Sequence, residues 1–499
     1  LFILSGVKPA APSLYLQACQ LADAGDSQKA LLLLDEARKA DPDHRDTYLK
    51  MAALFEAMGL PQSAEPIYLL ALKKFSGDAA VLNAAGNFYY TSDQCAKGYA
   101  FTRPAVQAPD CPPELIITHA NLAKAIGKTE EAQGLYLALL QRAPDNVFAL
   151  TNLGGLYLDE GRYAQAIDCL LRAEKEKAGN THIATQLAHA FFRSGQLEKG
   201  WTYYAQRFGS SVKARPFSGP LWNGEELKDQ LLLLWAEQGI GEEILYASML
   251  KDAVKRASRI SVECDPRLAP LFSRSFPGLS FFARQDPPDA RLAKAAAQAS
   301  LGHLGALFRT SADAFPKTPY CLVCDADKKE RLREKYLALK KQKNLSGKLI
   351  GISWKSQKLR QGDPKSTDFA VWENLFEGSP HLFINLQYGD CSGEAALAGA
   401  RDWNLFTDAA IDQSRSLDDY AAQIAALDQV ITVSNSTAHM AGALGVKTDV
   451  LLPKARGLMW HWFDGTASSP WYPSLTLLRQ DSDGDWNGPL EKSAQRLEA

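Results

Sequence analysis

Over roughly the first two hundred residues, small and apolar positions return every 34 residues, a period that fits a pair of amphipathic helices and no strand. Windows of that length begin at 11, 45, 79, 113, 147 and 181. Their eighth positions are Ala18, Ala52, Gly86, Ala120, Gly154 and Ala188, and their twentieth are Ala30, Ala64, Gly98, Ala132, Ala166 and Gly200. All are small, which predicts two helices per window packed closely. Position eleven is mostly large and apolar: Leu21, Phe55, Tyr89, Ala123, Tyr157 and Phe191. Position fifteen is Gly25, Gly59, Asp93, Gly127, Gly161 and Gly195. Glycine there suits the left-handed residue that ends a helix. The third window is the weakest, because Pro104 falls inside its second helical pattern and predicts a distortion or kink.

From "FSGPLWNGEEL" (217–227) the period changes. Short apolar runs predict strands at "LLLLWA" (231–236), "RISVEC" (259–264), "LSFFA" (279–283) and "PYCLV" (319–323), with helices at "ILYASMLKDAVKRA" and "RLAPLFSRSF" between them. After a charged helix over 325–343, a second series begins. Its strands are "KLIGISW" (348–354), "LFINLQY" (382–388), "WNLFTDA" (403–409), "QVITVS" (429–434), "TDVLLP" (448–453) and "LTLLRQ" (475–480). Helices are expected over 416–427 and 436–445, and "NGPLEKSAQRLEA" forms a closing one. Strand and helix alternating in two series predict two doubly wound parallel sheets, whose ligands bind beyond the carboxyl ends of the strands.

The 34-residue windows resemble the tetratricopeptide repeat. Such solenoids bind an extended peptide or a partner surface, and a spacer or dimerisation arm is the alternative. The motifs "AEQGIGEEILYASML", "ISVECDPRLAPLFSRSFPG", "IGISWKS", "INLQYGD", "ALDQVITVSNSTAHMAGALG" and "SPWYPSLTLLRQ" together resemble the GT-B glycosyltransferase module fused to such repeats in bacterial proteins. That module is similar to the heptosyltransferase-like family and, more distantly, to O-GlcNAc transferase. The expected fold is a helical tetratricopeptide solenoid over 11–214, then an α/β GT-B module of two Rossmann-like halves. Residues 217–344 form the acceptor half and 345–499 the nucleotide-sugar half.

Composition agrees with a globular chain: 499 residues, 46% apolar, 22% charged and a formal charge of −2. Nothing in this balance favours nucleic acid or an anionic membrane. No run is long enough to span a bilayer. The start, "LFILSGVKPAAP", lacks both an initiator Met and a basic segment and is not read as a signal peptide. Of eight cysteines only Cys321 and Cys324 form a C-x-x-C, so buried thiols in a reduced, cytoplasmic protein are expected. No metal and no cofactor is expected beyond a nucleotide-sugar co-substrate.

The strongest chemical signal is "VSNSTAHMAGALG", a strand leading into a helix expected to begin near Ala438. Free N–H groups there suit a phosphate, with Ser436, Thr437 and His439 as further donors; an ordinary capping sequence is the alternative. "SWKSQKLRQGDPKST" brings Lys355, Lys358, Arg360 and Lys365, of which Lys355 is the first choice and Lys365 the second for meeting charge on a leaving phosphate. The resemblance places Gln387 and Tyr388 near base or ribose. In the glycine-rich stretch after the first strand, Gly239 and Gly241 allow close approach of a sugar. Glu242 there matches an Asp of heptosyltransferase-like enzymes, the candidate general base, while fold-stabilising roles for Glu237 and Glu242 stay open. Asp418 and Asp419 read first as cap and first-turn acids, with ribose or sugar contact the alternative, the aromatic run 461–474 as a sugar-stacking or core segment, and His303 as a cleft or packed residue. The resemblance implies an inverting glycosyltransferase that modifies a protein hydroxyl, flagellin in some members, with the repeats holding the acceptor. A glycan- or lipopolysaccharide-building enzyme and an inactive repeat scaffold are the rivals.

Overall fold

The computed structural model describes residues 11–209, 212–317, 321–356 and 364–498. The apolar start, Lys358, Arg360 and the first residues of "PYCLV" lie outside them. The helices follow the 34-residue period without slippage. First helices of the pairs span Ala11–Asp23, Arg45–Ala57, Ala79–Thr91, Pro113–Ala125, Val147–Asp159 and Thr181–Arg193. Their partners span Ser27–Ala40, Pro61–Lys74, Cys95–Thr102, Thr129–Arg142, Tyr163–Glu176 and Leu197–Tyr204. Every residue at position fifteen has positive φ, from 58° at Asp93 to 87° at Gly25, so each closes its helix in the left-handed region. The small positions let the paired helices touch: a Cβ at Gly98 would lie 2.8 Å from a Leu122 methyl. In the third pair the second helix stops at Thr102, and a short 3-10 turn, Ala105–Gln107, follows Pro104. The missing N–H of that proline and the clash of its ring stop the helix there.

By packing, the chain divides between Leu156 and Tyr157. The second unit holds two sheets with every strand parallel. The first contains β1 (Leu227–Trp235), β2 (Ala257–Cys264), β3 (Ser280–Ala283) and β4 (Ala297–Ser300), in the order β3-β2-β1-β4. The second contains β5 (Leu349–Ser353), β6 (Leu382–Asn385), β7 (Leu405–Phe406), β8 (Gln429–Val433), β9 (Thr448–Leu452) and β10 (Leu475–Arg479), in the order β10-β9-β8-β5-β6-β7. Strands β5, β8 and β9 are buried at every residue, as expected of strands covered on both faces. In each sheet the order reverses beside the first strand, between β1 and β4 and between β5 and β8. Those are the two topological switch points.

Two expectations need correction. Cys321–Val323 form no strand. Instead the Cys321 and Leu322 N–H groups both donate to the Ala443 carbonyl at 2.9 Å, satisfying the end of a helix. The fourth strand is β4, whose "AQAS" carries no β-branched or aromatic residue and is strand only because it pairs with β1 and is buried. The long helix expected across 244–257 is broken into Ile240–Ala247 and Leu250–Ala253.

Secondary structure changes at 217, but packing changes at 157. Ala188, Phe192, Leu197, Trp201 and Tyr204 of the last repeat belong to the same apolar core as β1 and β2. The Trp201 ring fills the space beside Gly305, where a Cβ would lie 2.1 Å from it. Its Nε1 donates to the Arg309 carbonyl at 2.8 Å. The last repeat is therefore a structural part of the α/β unit.

Candidate active site

Beyond β1 the chain enters the stretch Glu237–Glu243. Glu237 is locked: Arg207, just past the last repeat, donates to its Oε1 through Nε at 3.0 Å and reaches Ser300 at the end of β4 through Nη2 at 2.8 Å. Burial raises the Glu237 pKa, opposed by the Arg207 charge. Gly302 has to lack a side chain here, because a Cβ would lie 2.3 Å from Glu237 Oε1. The neighbouring Gln238 donates to the Tyr204 hydroxyl at 2.6 Å, and Tyr204 shares a hydrogen bond of 2.7 Å with Tyr246. Glu243 is also committed. Its Oε2 accepts from the Asp265 N–H at 2.9 Å, and Arg284 lies 3.2 Å from Oε1. Burial pushes its pKa up to about 7. Glu242 is half-buried in the first turn of the helix Ile240–Ala247. His303 at the end of β4 is half-buried, and its Nε2 finds no hydrogen-bond partner among the described residues. Burial, then the Arg207 charge, lowers its pKa.

The helix after β8 runs from Ser436 to Ala443 with Asn435 as N-cap, two residues earlier than expected. The reason is the Asn435 side chain, whose Oδ1 accepts from the Thr437 N–H at 3.0 Å while its Nδ2 donates to Ser353 Oγ at 2.8 Å. One residue thus caps the helix and ties β8 to β5 across the switch point. Ser436 stands half-buried at the first helical position. Thr437 is fully buried inside the helix, with its hydroxyl 2.7 Å from that of Tyr420. Ala438 is buried in the core. His439 is 4% exposed, stacked on Trp462 at 5.1 Å, with Nδ1 3.2 Å from the Tyr472 hydroxyl. Burial pushes its pKa down to about 3, so it offers a hydrogen bond and no charge.

The two helices meet. A Cβ at Gly241 would lie 2.8 Å from His439 Cδ2, so this glycine is filled by a ring from the opposite sheet. That contact brings the carboxyl end of β1 against the helix that follows β8.

At the end of β5, Lys355 pairs with Glu394 at 2.6 Å and donates to the Asp390 carbonyl at 3.2 Å. Gln387 is 3% exposed, and its Oε1 accepts from Ser353 Oγ and from the N–H groups of Trp354 and Lys355 at 2.9–3.1 Å. Its Nε2 donates to the Lys355 and Tyr388 carbonyls, so this amide is consumed in joining β5 to β6. Tyr388 is half-exposed beside it. Lys365 packs by Gly457, and its charge is felt at His461. Asp418 and Asp419 lie in a first turn capped by Ser416. Asp418 pairs with Arg274 at 2.6 Å, and Asp419 with Lys328 at 2.6 Å.

Three residues that shape this region, Arg207, Asn435 and Tyr472, were not legible as such. Arg207 and Tyr472 act from distant elements, and the Asn435 amide reaches Ser353, 82 positions away in the chain. Among the described residues no group of three His, Cys, Asp or Glu side chains is arranged to hold a metal. Burial pushes the Cys321 thiol up to about 12. No described helix is long and apolar enough to cross a membrane. A cavity of about 430 Å³ lined by Leu322, Cys324, Leu444 and Lys447 lies at the other end of the helix Ser436–Ala443, away from its N-terminus.

The tetratricopeptide-repeat family model matches residues 15–79 and 117–181. Protein FlbA of Caulobacter vibrioides is 31% identical over 383 residues, covering 72% of this chain and 62% of that protein. Because the repeats end by Tyr204, an alignment over 72% of the chain extends into the α/β region. A repeat-containing protein of Bacillus subtilis, YpiA, is 23% identical over 265 residues, 52% of this chain and 56% of its own. The chain spans less than two thirds of the length of both relatives. Among solved structures, the pilus biogenesis factor PilW is 16% identical with a TM-score of 0.36, covering 40% of this chain and 93% of its own. Pseudomonas aeruginosa PilF is 18% identical with a TM-score of 0.35, covering 40% of this chain and 90% of its own.

Proposed function

We propose that this chain is a GT-B glycosyltransferase that passes a sugar from a nucleotide-activated donor to a hydroxyl of a protein acceptor. The observation that carries the reading is the meeting of the two switch points. Gly241 after β1 packs against His439 after β8, so the carboxyl end of one strand in each sheet meets that of the other. Open α/β sheets take nucleotides in a crevice beyond such strand ends. The donor phosphates would lie at the N-terminus of the helix Ser436–Ala443, where the Ser436 hydroxyl donates and the helix dipole favours negative charge, the Thr437 and Ala438 N–H groups being taken by Asn435. Charge growing on the leaving phosphate meets the same dipole, with Lys365 nearby. Lys355, neutralised by Glu394, would instead hold the wall of the crevice.

Of the three carboxylates after β1, Glu237 and Glu243 are buried against arginines. Glu242 is the half-buried one and is assigned the proton of the attacking hydroxyl. The reading that the acceptor is a protein, with flagellin the first to try, rests on the resemblance to repeat-fused transferases. Intact-mass analysis of flagellin co-expressed with this chain and a nucleotide-sugar pathway tests it. A fixed sugar increment that vanishes with Glu242→Gln is expected, and an unmodified acceptor whenever the chain is present would overturn the assignment.

A further inference from the structure

A second feature lies away from the crevice, inside the same unit. A cavity of about 550 Å³ opens between the turn of the last repeat (Arg193, Ser194, Gly195) and the loop 463–470. Arg193 is 6% exposed; its guanidinium lies over the Tyr163 ring, 4.9 Å from the centroid, and among the described residues only its Nη1 donates a hydrogen bond, to the Leu158 carbonyl at 3.1 Å. Its Nε and Nη2 are buried without a hydrogen-bond partner among the described residues, and so is the Thr466 hydroxyl on the facing wall. A buried guanidinium with two nitrogens that donate to nothing costs free energy unless an acceptor arrives.

Nearby charges do not supply one. Asp464 accepts a short hydrogen bond from Tyr163 and lies 3.9 Å from Arg479, whose other nitrogens are spent on backbone carbonyls. Burial lowers the Arg479 pKa, opposed by the Asp464 charge. Two guanidiniums and one carboxylate leave a single positive charge, which matches one carboxylate better than a doubly charged phosphate. The other walls are apolar: Leu197, Phe315, Phe463 and Pro470. The volume is in the range that takes a few residues of peptide.

We propose that this cavity receives an acidic side chain flanked by apolar residues on the acceptor polypeptide, with Arg193 and Thr466 donating to the carboxylate. Calling that peptide the acceptor rests on the transferase reading; the binding itself does not. The probe is a pool of acetylated, amidated tripeptides with Leu or Phe on each side of Asp, titrated calorimetrically without nucleotide. The control pool carries Asn in place of Asp. The Asp pool is expected to bind, and the Asn pool to bind roughly tenfold more weakly or worse. Arg193→Met and Ala312→Trp, the second blocking the exposed rim, should each weaken the Asp pool by a similar factor. Ala312→Trp decides the matter if Arg193→Met does not fold. No binding of the Asp pool, equal binding of the Asn pool, or full binding by Ala312→Trp overturns the inference. A chain that binds the Asp pool as described yet transfers no sugar would sink the transferase reading alone. Transfer by Ala312→Trp at the wild-type kcat/KM would sink this inference alone.

Discussion

Replacing Gly241 by Ala adds one methyl at the contact between the two sheets. That methyl would sit 2.8 Å from His439 Cδ2, well inside the ~3.5–4.0 Å of a comfortable carbon contact. The ring must retreat by about 0.7–1 Å to restore that contact, and it is held on two sides. Trp462 stacks on it, fixed in turn by a 2.7 Å hydrogen bond to Ser434, and Tyr472 engages Nδ1. Overpacking of this kind costs about 1–3 kcal/mol. Alanine's better helix propensity returns at most about 1 kcal/mol, so Gly241→Ala should lose roughly 1–2 kcal/mol. Urea unfolding followed by tryptophan fluorescence measures it cleanly, because all 10 tryptophans lie at or beyond Trp201, in the second unit. In a His439→Ala background the methyl has room, and Gly241→Ala should then be neutral or stabilising. The reasoning is refuted if Gly241→Ala is as stable as the parent, or if its cost persists without the His439 ring.

Glu242→Gln should lower single-turnover transfer roughly 10²–10⁴-fold with donor affinity unchanged, and a loss within about twofold would return Glu242 to a structural role. Between the unfolded value of 4.5 and about 7, only the folded state keeps the proton of Glu243, so its contribution to stability falls as pH rises through that window. Glu243→Gln should flatten that part of the stability–pH curve, and an unchanged slope would count against the assignment. Arg207→Met leaves Glu237 buried without its charge partner and should cost about 3–5 kcal/mol in the same urea assay; a cost near zero would mean that Glu237 is protonated in the native state. A fragment beginning at Val147 should fold to a cooperative α/β unit, whereas one beginning at 217 loses Phe192, Trp201 and Arg207 and should not; equal cooperativity for the two would refute the shared core.

The repeats were legible to the residue because their signals are local. Small residues at two positions and a left-handed residue at a third specify each helical pair without reference to anything distant. Most parallel strands were visible as unbroken apolar runs. β4 was not, since four small or polar residues carry no strand preference of their own and take the conformation from β1. The candidate site divides in the same way. The strand-to-helix passage ending at Ser436 follows from its own residues, but the place of Lys355, Gln387 and His439 depends on partners 30 or more positions away. Glycine at 241 showed in the sequence that something comes close, without showing that the neighbour is a histidine of the other sheet.

The shared core also sets a schedule for synthesis. Phe192 stacks on Trp460 at 4.3 Å, yet Trp460 follows it by 268 positions in the chain. At the ~5–20 residues per second of translation, the aromatic face of the last repeat waits roughly 13–54 s for its cover. During that interval Phe192, Trp201 and Tyr204 form a sticky patch on a nascent chain whose earlier repeats are already complete. A chaperone that occupies this face should raise the yield of folded protein, whereas slow codons between positions 192 and 460 should lengthen its exposure and lower that yield.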